Sequence, residues 1–162
     1  VLVIGIDPGA TGALALLYTD TGDLVLFDMP VVEITRGKRD VRQVDAGMLG
    51  ALLRENLPAS AHAYLEKVGA MPGQGVSSMF AFGRAVGVVE GVLSGLRIPV
   101  SIVPPQTWMK GCSVVGGKDG SRARAMQLFP AYASLFSRKK DDGRADAALI
   151  AYYGVQQLKE IL

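Results

Sequence analysis

Apolar positions in this chain fall in short continuous runs near the start and in helix-spaced stripes after the middle. Residues 1–7 (VLVIGID) form a branched apolar run ended by an acid, the pattern of a strand covered on both faces. Residues 12–18 (GALALLY) and 24–29 (LVLFDM) repeat it between turn-forming segments, which predicts a three-stranded antiparallel meander. Residues 31–42 (VVEITRGKRDVR) are polar and basic and read as a mobile loop. Helical spacing begins at residues 45–56 (DAGMLGALLREN), with Asp45 placed as the N-cap. Residues 61–68 (AHAYLEKV) and 98–104 (IPVSIVP) read as the fourth and fifth strands.

Between those last two strands, a Gly/Pro loop at 69–75 precedes a long small-residue helix, 76–96. Gly83, Gly87, Gly91 and Gly95 recur every four residues and share one face of it. Each glycine costs about 1 kcal/mol of helix propensity against alanine. The row therefore implies close packing, against either the chain's own sheet or a second copy. After the fifth strand come a short helix or turn at 106–111, a loop at 112–120 and helical pieces at 121–129 and 131–140. The closing helix covers 145–162 and could start directly after Gly143. Antiparallel strands followed by alternating helix and strand predict one α/β domain over residues 1–162, a mixed five-stranded sheet flanked by helices.

Composition narrows the chemistry. A chain of 162 residues, 49% hydrophobic and 20% charged, can bury a sizeable core. No run long enough to span a bilayer is evident, and the opening lacks the basic flank and cleavage site of a secretion signal. One cysteine, Cys112, excludes an internal disulfide and suits a reducing compartment. With His62 the only histidine, histidine catalysis or a His/Cys zinc site is disfavoured. Net charge is only +2, yet residues 104–144 hold eight basic residues against three aspartates. Such a basic half suits a polyanion, as it also suits an ordinary solvated surface.

The acids carry the sharper signal. Asp7, Glu66 and Asp146 each interrupt an apolar element, where an unpartnered buried carboxylate costs several kcal/mol. Singly, each has a structural explanation: a turn cap for Asp7, pairing with Arg84 or Lys67 for Glu66, an N-cap for Asp142. Together they suit hard divalent cations held by oxygen ligands alone, magnesium with manganese as substitute. Two such ions are suited to phosphodiester hydrolysis. Asp142 precedes Asp146 by four residues and so shares its helical face, whereas Asp141 precedes it by five. The fourth acid is Asp142 or, if the helix starts later, Asp141.

The segments GIDPGATGALAL, YLEKVGAMPGQGVSSMFAFGRAVGVVEGVL, VPPQTWMKG and RKKDDGRADAALIAYYG resemble the RuvC-like Holliday junction resolvases. The nearest branch is the one shared by bacteria, phages and the plant chloroplast resolvase. The resemblance covers nearly the whole chain and implies an RNase H-like (retroviral integrase-like) fold and a homodimer. It also implies magnesium-dependent symmetrical nicking of four-way DNA junctions. Asp7, Glu66 and Asp146 match the family's acids, with Asp142 or Asp141 as the fourth. The bacterial resolvases space their last two acids three apart, and Gly143 stands at that position here.

Under that resemblance, Gly9 and Gly12 let the first turn pass close to metal and phosphate. Lys110, Lys118, Arg122, Lys139 and Lys140 are the expected phosphate contacts, which position DNA without reading it. Gln74 is placed to meet a base edge, and Met71, Met79 or Phe80 to wedge against an unstacked pair. Met79 and Phe80 could instead be core residues, and the core is the favoured place for Phe80 and Phe82; Trp108 suits the core or a dimer interface. The DNA-processing reading implies a bacterial or phage-infected cytoplasm with its nucleoid, or an organelle, and neither a membrane nor a small-molecule substrate. The competing readings are another RNase H-like nuclease acting on an RNA–DNA hybrid or structured RNA, and a non-catalytic junction-binding module. An actin-like ATPase, which shares a strand–Asp–Gly–Thr phosphate loop, needs two such domains and more residues than these.

Overall fold

The computed structural model describes residues 1–161, without the side chains of Lys118 and residues 159–161. The phosphate contact expected of Lys118 therefore lies outside the described residues. Among the described residues, seven strands and five α-helices follow one another along the chain. They are β1 (Leu2–Asp7), β2 (Ala13–Tyr18), β3 (Leu24–Asp28), β4 (Val31–Arg36), β5 (Arg39–Val44), α1 (Ala46–Asn56), β6 (Ala61–Glu66), α2 (Val76–Gly95), β7 (Val100–Val103), α3 (Pro105–Gly111), α4 (Gly120–Leu128) and α5 (Asp142–Ile161). Short 3-10 turns occupy Gly117–Asp119, Pro130–Phe136 and Lys139–Asp141.

The main sheet has the order β3-β2-β1-β6-β7. β1, β2 and β3 are the expected antiparallel meander, while β6 and β7 run parallel to β1 and to each other. β1 is apolar up to its last residue, Asp7, because both its faces are covered. Leu2, Ile4 and Ile6 join Leu49, Leu53, Val89 and Leu93 in the layer formed with α1 and α2. Val3 faces the other way, toward Ala147, Ala148 and Ala151 of α5. At Gly5 the helix comes so close that a Cβ would collide with Ala147 O and Ala151 N. That contact clamps α5 across the sheet and fixes where its N-terminal turn ends.

Three expectations need correction. Residues 31–42 are not a mobile loop: β4 and β5 pair antiparallel from Val31↔Val44 to Arg36↔Arg39 as a separate two-stranded hairpin. Alternating branched residues flank a two-residue turn, and Gly37 supplies its positive φ of 64°. The strand expected as fourth is thus β6. The closing helix begins at Asp142 and passes through Gly143, three residues earlier than residue 145. Finally, α2 is, by length and composition alone, sufficient to cross a membrane, contrary to the expectation of no such run. Arg84 and Glu90 interrupt its apolar sequence, so the glycines and alanines between them did not read as continuous. Its Ala85, Val89 and Leu93 are buried against the sheet. A Cβ on Gly83, Gly87, Gly91 or Gly95 meets nothing within 4 Å. The glycine row is therefore not packed on the chain's own sheet.

Candidate active site

Parallel pairing does the first step of assembly. Ile6 lies opposite Leu65, so the next residues, Asp7 and Glu66, leave adjacent strands at the same sheet end. Carboxyl ends of parallel strands are where α/β folds place their ligands. α5 completes the arrangement. Its first turn rests on the β1–β2 turn, where a Cβ on Gly143 would lie 2.9 Å from Thr11 O and 3.1 Å from Asp7 Oδ2. One turn further on, Asp146 faces Asp7 closely enough for their charges to interact.

The electrostatics report this proximity. The Asp7 carboxyl is pushed well above the usual range by burial, then by the charges of Asp146 and Glu66. Asp146 is pushed up to about 6, chiefly by burial, with Asp142 adding and the Ser121 hydroxyl opposing. Glu66 is raised by burial and lowered in part by Trp108. The Trp108 indole N–H donates to Glu66 Oε1 at 3.2 Å. Of the two places open to Trp108, core or dimer interface, the structure puts it in the core, where it also orients Glu66. No ion pair with Arg84 or Lys67 occurs among the described residues, so that structural explanation for Glu66 falls away.

The two neighbouring aspartates separate clearly. Asp141 is buried and held by Arg138: Oδ2 accepts the Arg138 backbone N–H at 2.9 Å, and Oδ1 accepts from its guanidinium at 2.8 Å. That pairing lowers the Asp141 pKa and closes the 3-10 turn before α5. Asp142, half exposed, lies on α5 with Asp146 and forms an ion pair with Arg122 at 2.8 Å. Its geometry is not that of an aligned hydrogen bond, since neither Arg122 Nε nor Asp142 Oδ1 gains a hydrogen-bond partner. Asp141 is thus taken up by Arg138, while Asp142 shares α5 with Asp146; both line the same cleft.

Asp7, Asp142 and Asp146 line a cleft of about 780 Å³ together with Thr11, Arg42, Lys139 and Lys140. Among the described residues no group of three or more acid, histidine or cysteine side chains stands placed to hold a metal ion. The donor set nevertheless fits a hard cation. Every candidate ligand is a carboxylate, burial with added repulsion from neighbouring acids raises the pKa values of Asp7, Glu66 and Asp146, and Asp146 Oδ1 is buried with no hydrogen-bond partner.

Of the expected DNA contacts, Lys139 and Lys140 are exposed on the cleft. Lys110 is exposed at the end of α3, outside that cleft. Arg122 is not a free phosphate ligand: its side chain is 13% exposed, paired with Asp119 and Asp142, and it donates to Ser137 O. Gln74 is half-buried beside α2, and Met71 is exposed. Phe80, expected in the core, is instead 69% exposed, because it lies off the Ala85–Val89–Leu93 stripe that docks on the sheet. Sequence reasoning missed Arg42, which lines the cleft from β5. Its signal was the alternation VVEITR–GK–RDVRQV, a hairpin pattern.

A mixed sheet of this order, acids at the ends of its central strands and on the helix across them, defines an RNase H-like fold of the RuvC type. Comparison with known proteins agrees. RuvC of Thermus thermophilus, solved in complex with a Holliday junction substrate, superposes with a TM-score of 0.67 at 17% identity, covering 98% of this chain and 95% of that one. Another Thermus thermophilus RuvC structure matches with a TM-score of 0.59 at 16% identity, covering 99% and 96%. By sequence, the chloroplastic Holliday junction resolvase MOC1 of Chlamydomonas reinhardtii is 31% identical over 150 residues, 80% of this chain. The chain spans 17% of the length of that relative. No protein-family model matches.

Proposed function

We propose that this chain is a structure-selective endonuclease that resolves four-way DNA junctions by divalent-cation-dependent phosphodiester hydrolysis. The observation that carries the reading is the meeting of Asp7, Glu66 and Asp146 at one sheet end, on a fold whose solved counterpart was captured on a junction. The chloroplastic relative is named for the same activity, and its location is compatible with an organellar setting. The bacterial or phage cytoplasm is the setting the RuvC likeness supports.

Asp7, Glu66, Asp146 and Asp142 would hold the cations, magnesium or manganese, two to a site. When bound, such ions supply an activated water and stabilise the leaving oxygen of the cut strand. The chain's own residues do the rest. Trp108 holds the Glu66 carboxylate in place through its indole N–H. Arg138 pairs with Asp141 at the wall of the cleft, which leaves Asp142 as the fourth acid of this reading. Arg122 balances the charge of Asp142. Lys139 and Lys140 attract the phosphodiester backbone at the rim.

A four-way junction presents two equivalent strands related by a two-fold axis, and a two-fold dimer matches that geometry. We assign the dimer contact to the open glycine face of α2, where a second copy can approach closely.

The test is cleavage of a labelled four-way junction beside a linear duplex and an RNA–DNA hybrid, with magnesium and with EDTA. Paired symmetrical nicks in the junction alone, lost in EDTA, are the expected result. Cutting of the hybrid instead would transfer the same acids to an RNase H activity. Cutting of nothing would leave a binding module.

A further inference from the structure

The β4–β5 hairpin stands apart from the main sheet and packs through β5 against α2. A groove of about 350 Å³ runs between them, lined by Arg36, Val41, Arg42 and Gln43 on one side and by Gln74 and Arg84 on the other. Arg42 lines both this groove and the carboxylate cleft. The hairpin thus joins the two spaces.

Its charges are arranged unfavourably for a free-standing hairpin. Arg36 and Arg39 are directly opposed in register at the turn, with Lys38 between them in the chain, and all three are exposed. Like charges directly across a strand pair destabilise it. The hairpin's own acids do not relieve them. Asp40 accepts a hydrogen bond from the Thr35 hydroxyl at 2.8 Å, and Glu33 lies opposite Arg42, away from the tip. Among the described residues, none of Arg36, Lys38, Arg39 or Arg42 forms an ion pair.

We propose that the β4–β5 hairpin is a basic arm that grips the phosphate backbone of a DNA duplex arm entering the carboxylate cleft. Arg36, Lys38 and Arg39 form its tip, and Arg42 is the bridging cation next to the acids. The proposal rests on the reading of the chain as a DNA-processing enzyme and adds an element that the acids and the Lys139–Lys140 pair do not include. A phosphate lodged between Arg36 and Arg39 converts their repulsion into a shared contact. Such contacts carry no sequence information, so the arm serves positioning rather than base choice.

The test is the salt dependence of binding to a labelled four-way junction and to a linear duplex, measured in EDTA so that nothing is cut. Each lost phosphate contact lowers the slope of log affinity against log salt by about 0.9. Arg36→Gln/Lys38→Gln/Arg39→Gln is expected to lower it by about 2–3 on both DNAs, and Arg42→Gln by about 1. Arg36→Lys/Arg39→Lys keeps the charge and is expected to keep the slope. An unchanged slope in the triple variant overturns the proposal, as does loss of slope in the charge-preserving variant, which would mark a structural role. Wild-type protein that binds neither DNA overturns it too. Wild-type protein that binds DNA through the arm yet cuts no junction would instead overturn the resolvase reading and leave the arm standing.

Discussion

The two sides of the central sheet treat glycine and charge in opposite ways. On the α5 side, Gly5 and Gly143 are filled spaces: a Cβ on either meets neighbouring backbone or Asp7 at once. On the α2 side, Gly83, Gly87, Gly91 and Gly95 face open space. The α5 side gathers buried, mutually repelling carboxylates held by packing, and the α2 side with its hairpin presents exposed arginines and an apolar helix. The first region is closed by contacts within one chain. The second leaves the glycine row of α2 and the arginines of the hairpin open, the surfaces that the proposed dimer contact and the proposed DNA arm would use.

That contrast can be broken first at the acids. Asp7→Asn or Glu66→Gln is expected to lower single-turnover junction cleavage by at least about a thousandfold, the several kcal/mol that a lost ligand is worth. Junction binding in a gel or anisotropy assay should be kept. Lost binding with an unchanged rate per bound complex would move these residues out of the chemistry.

A pair of glycine substitutions compares the two sides directly. Gly5→Ala is expected to destabilise the fold by about 3 kcal/mol, because α5 must lift off β1. Gly87→Ala is expected to raise helix stability by up to about 1 kcal/mol in the monomer while weakening self-association. Chemical denaturation and sedimentation measure both. Equal destabilisation by the two would erase the distinction.

The pH response of Asp146 is a smaller effect with a definite sign. Its folded pKa, about 6, exceeds the usual carboxyl value, so between pH ~4 and ~6 the folded state keeps a proton that the unfolded state has released. Stability from this group is therefore lost as pH rises through that window. Asp146→Asn is expected to be more stable than wild type by about 2 kcal/mol at neutral pH in EDTA, and to lose the protection that added magnesium gives. Equal melting temperatures at pH 7 would contradict it. Smallest is Lys139→Ala/Lys140→Ala, which should reduce the salt slope of junction binding by about 2 and leave the saturated cleavage rate within a few-fold.

Much of this was legible before folding was considered. An acid at the end of an apolar strand, repeated at Asp7 and Glu66, announced the site because buried charge needs a reason. The four-residue spacing of Asp142 and Asp146 placed both on one helical face. Three things were hidden. The different surroundings of Asp141 and Asp142 depended on Arg138, whose capture of Asp141 is set by a 3-10 turn that no spacing rule gives. The tie from Trp108 to Glu66 joins residues far apart in sequence. The hairpin was concealed by its charge, since arginines on a solvated two-stranded ribbon lower hydropathy as a loop does, although the branched alternation around Gly37 was there to be read.

Asp7 and Asp146 stand near opposite ends of the chain, and only the clamp of α5 across β1 brings them together. The pairing of Asp7 with Asp146 therefore cannot form until α5 has been made and has docked across β1. Strand one and strand six can pair earlier, but they contribute two acids and no more. The long sequence separation thus makes this cluster of acids a late product of folding, because contacts between distant segments form only after the intervening chain has been closed into a loop.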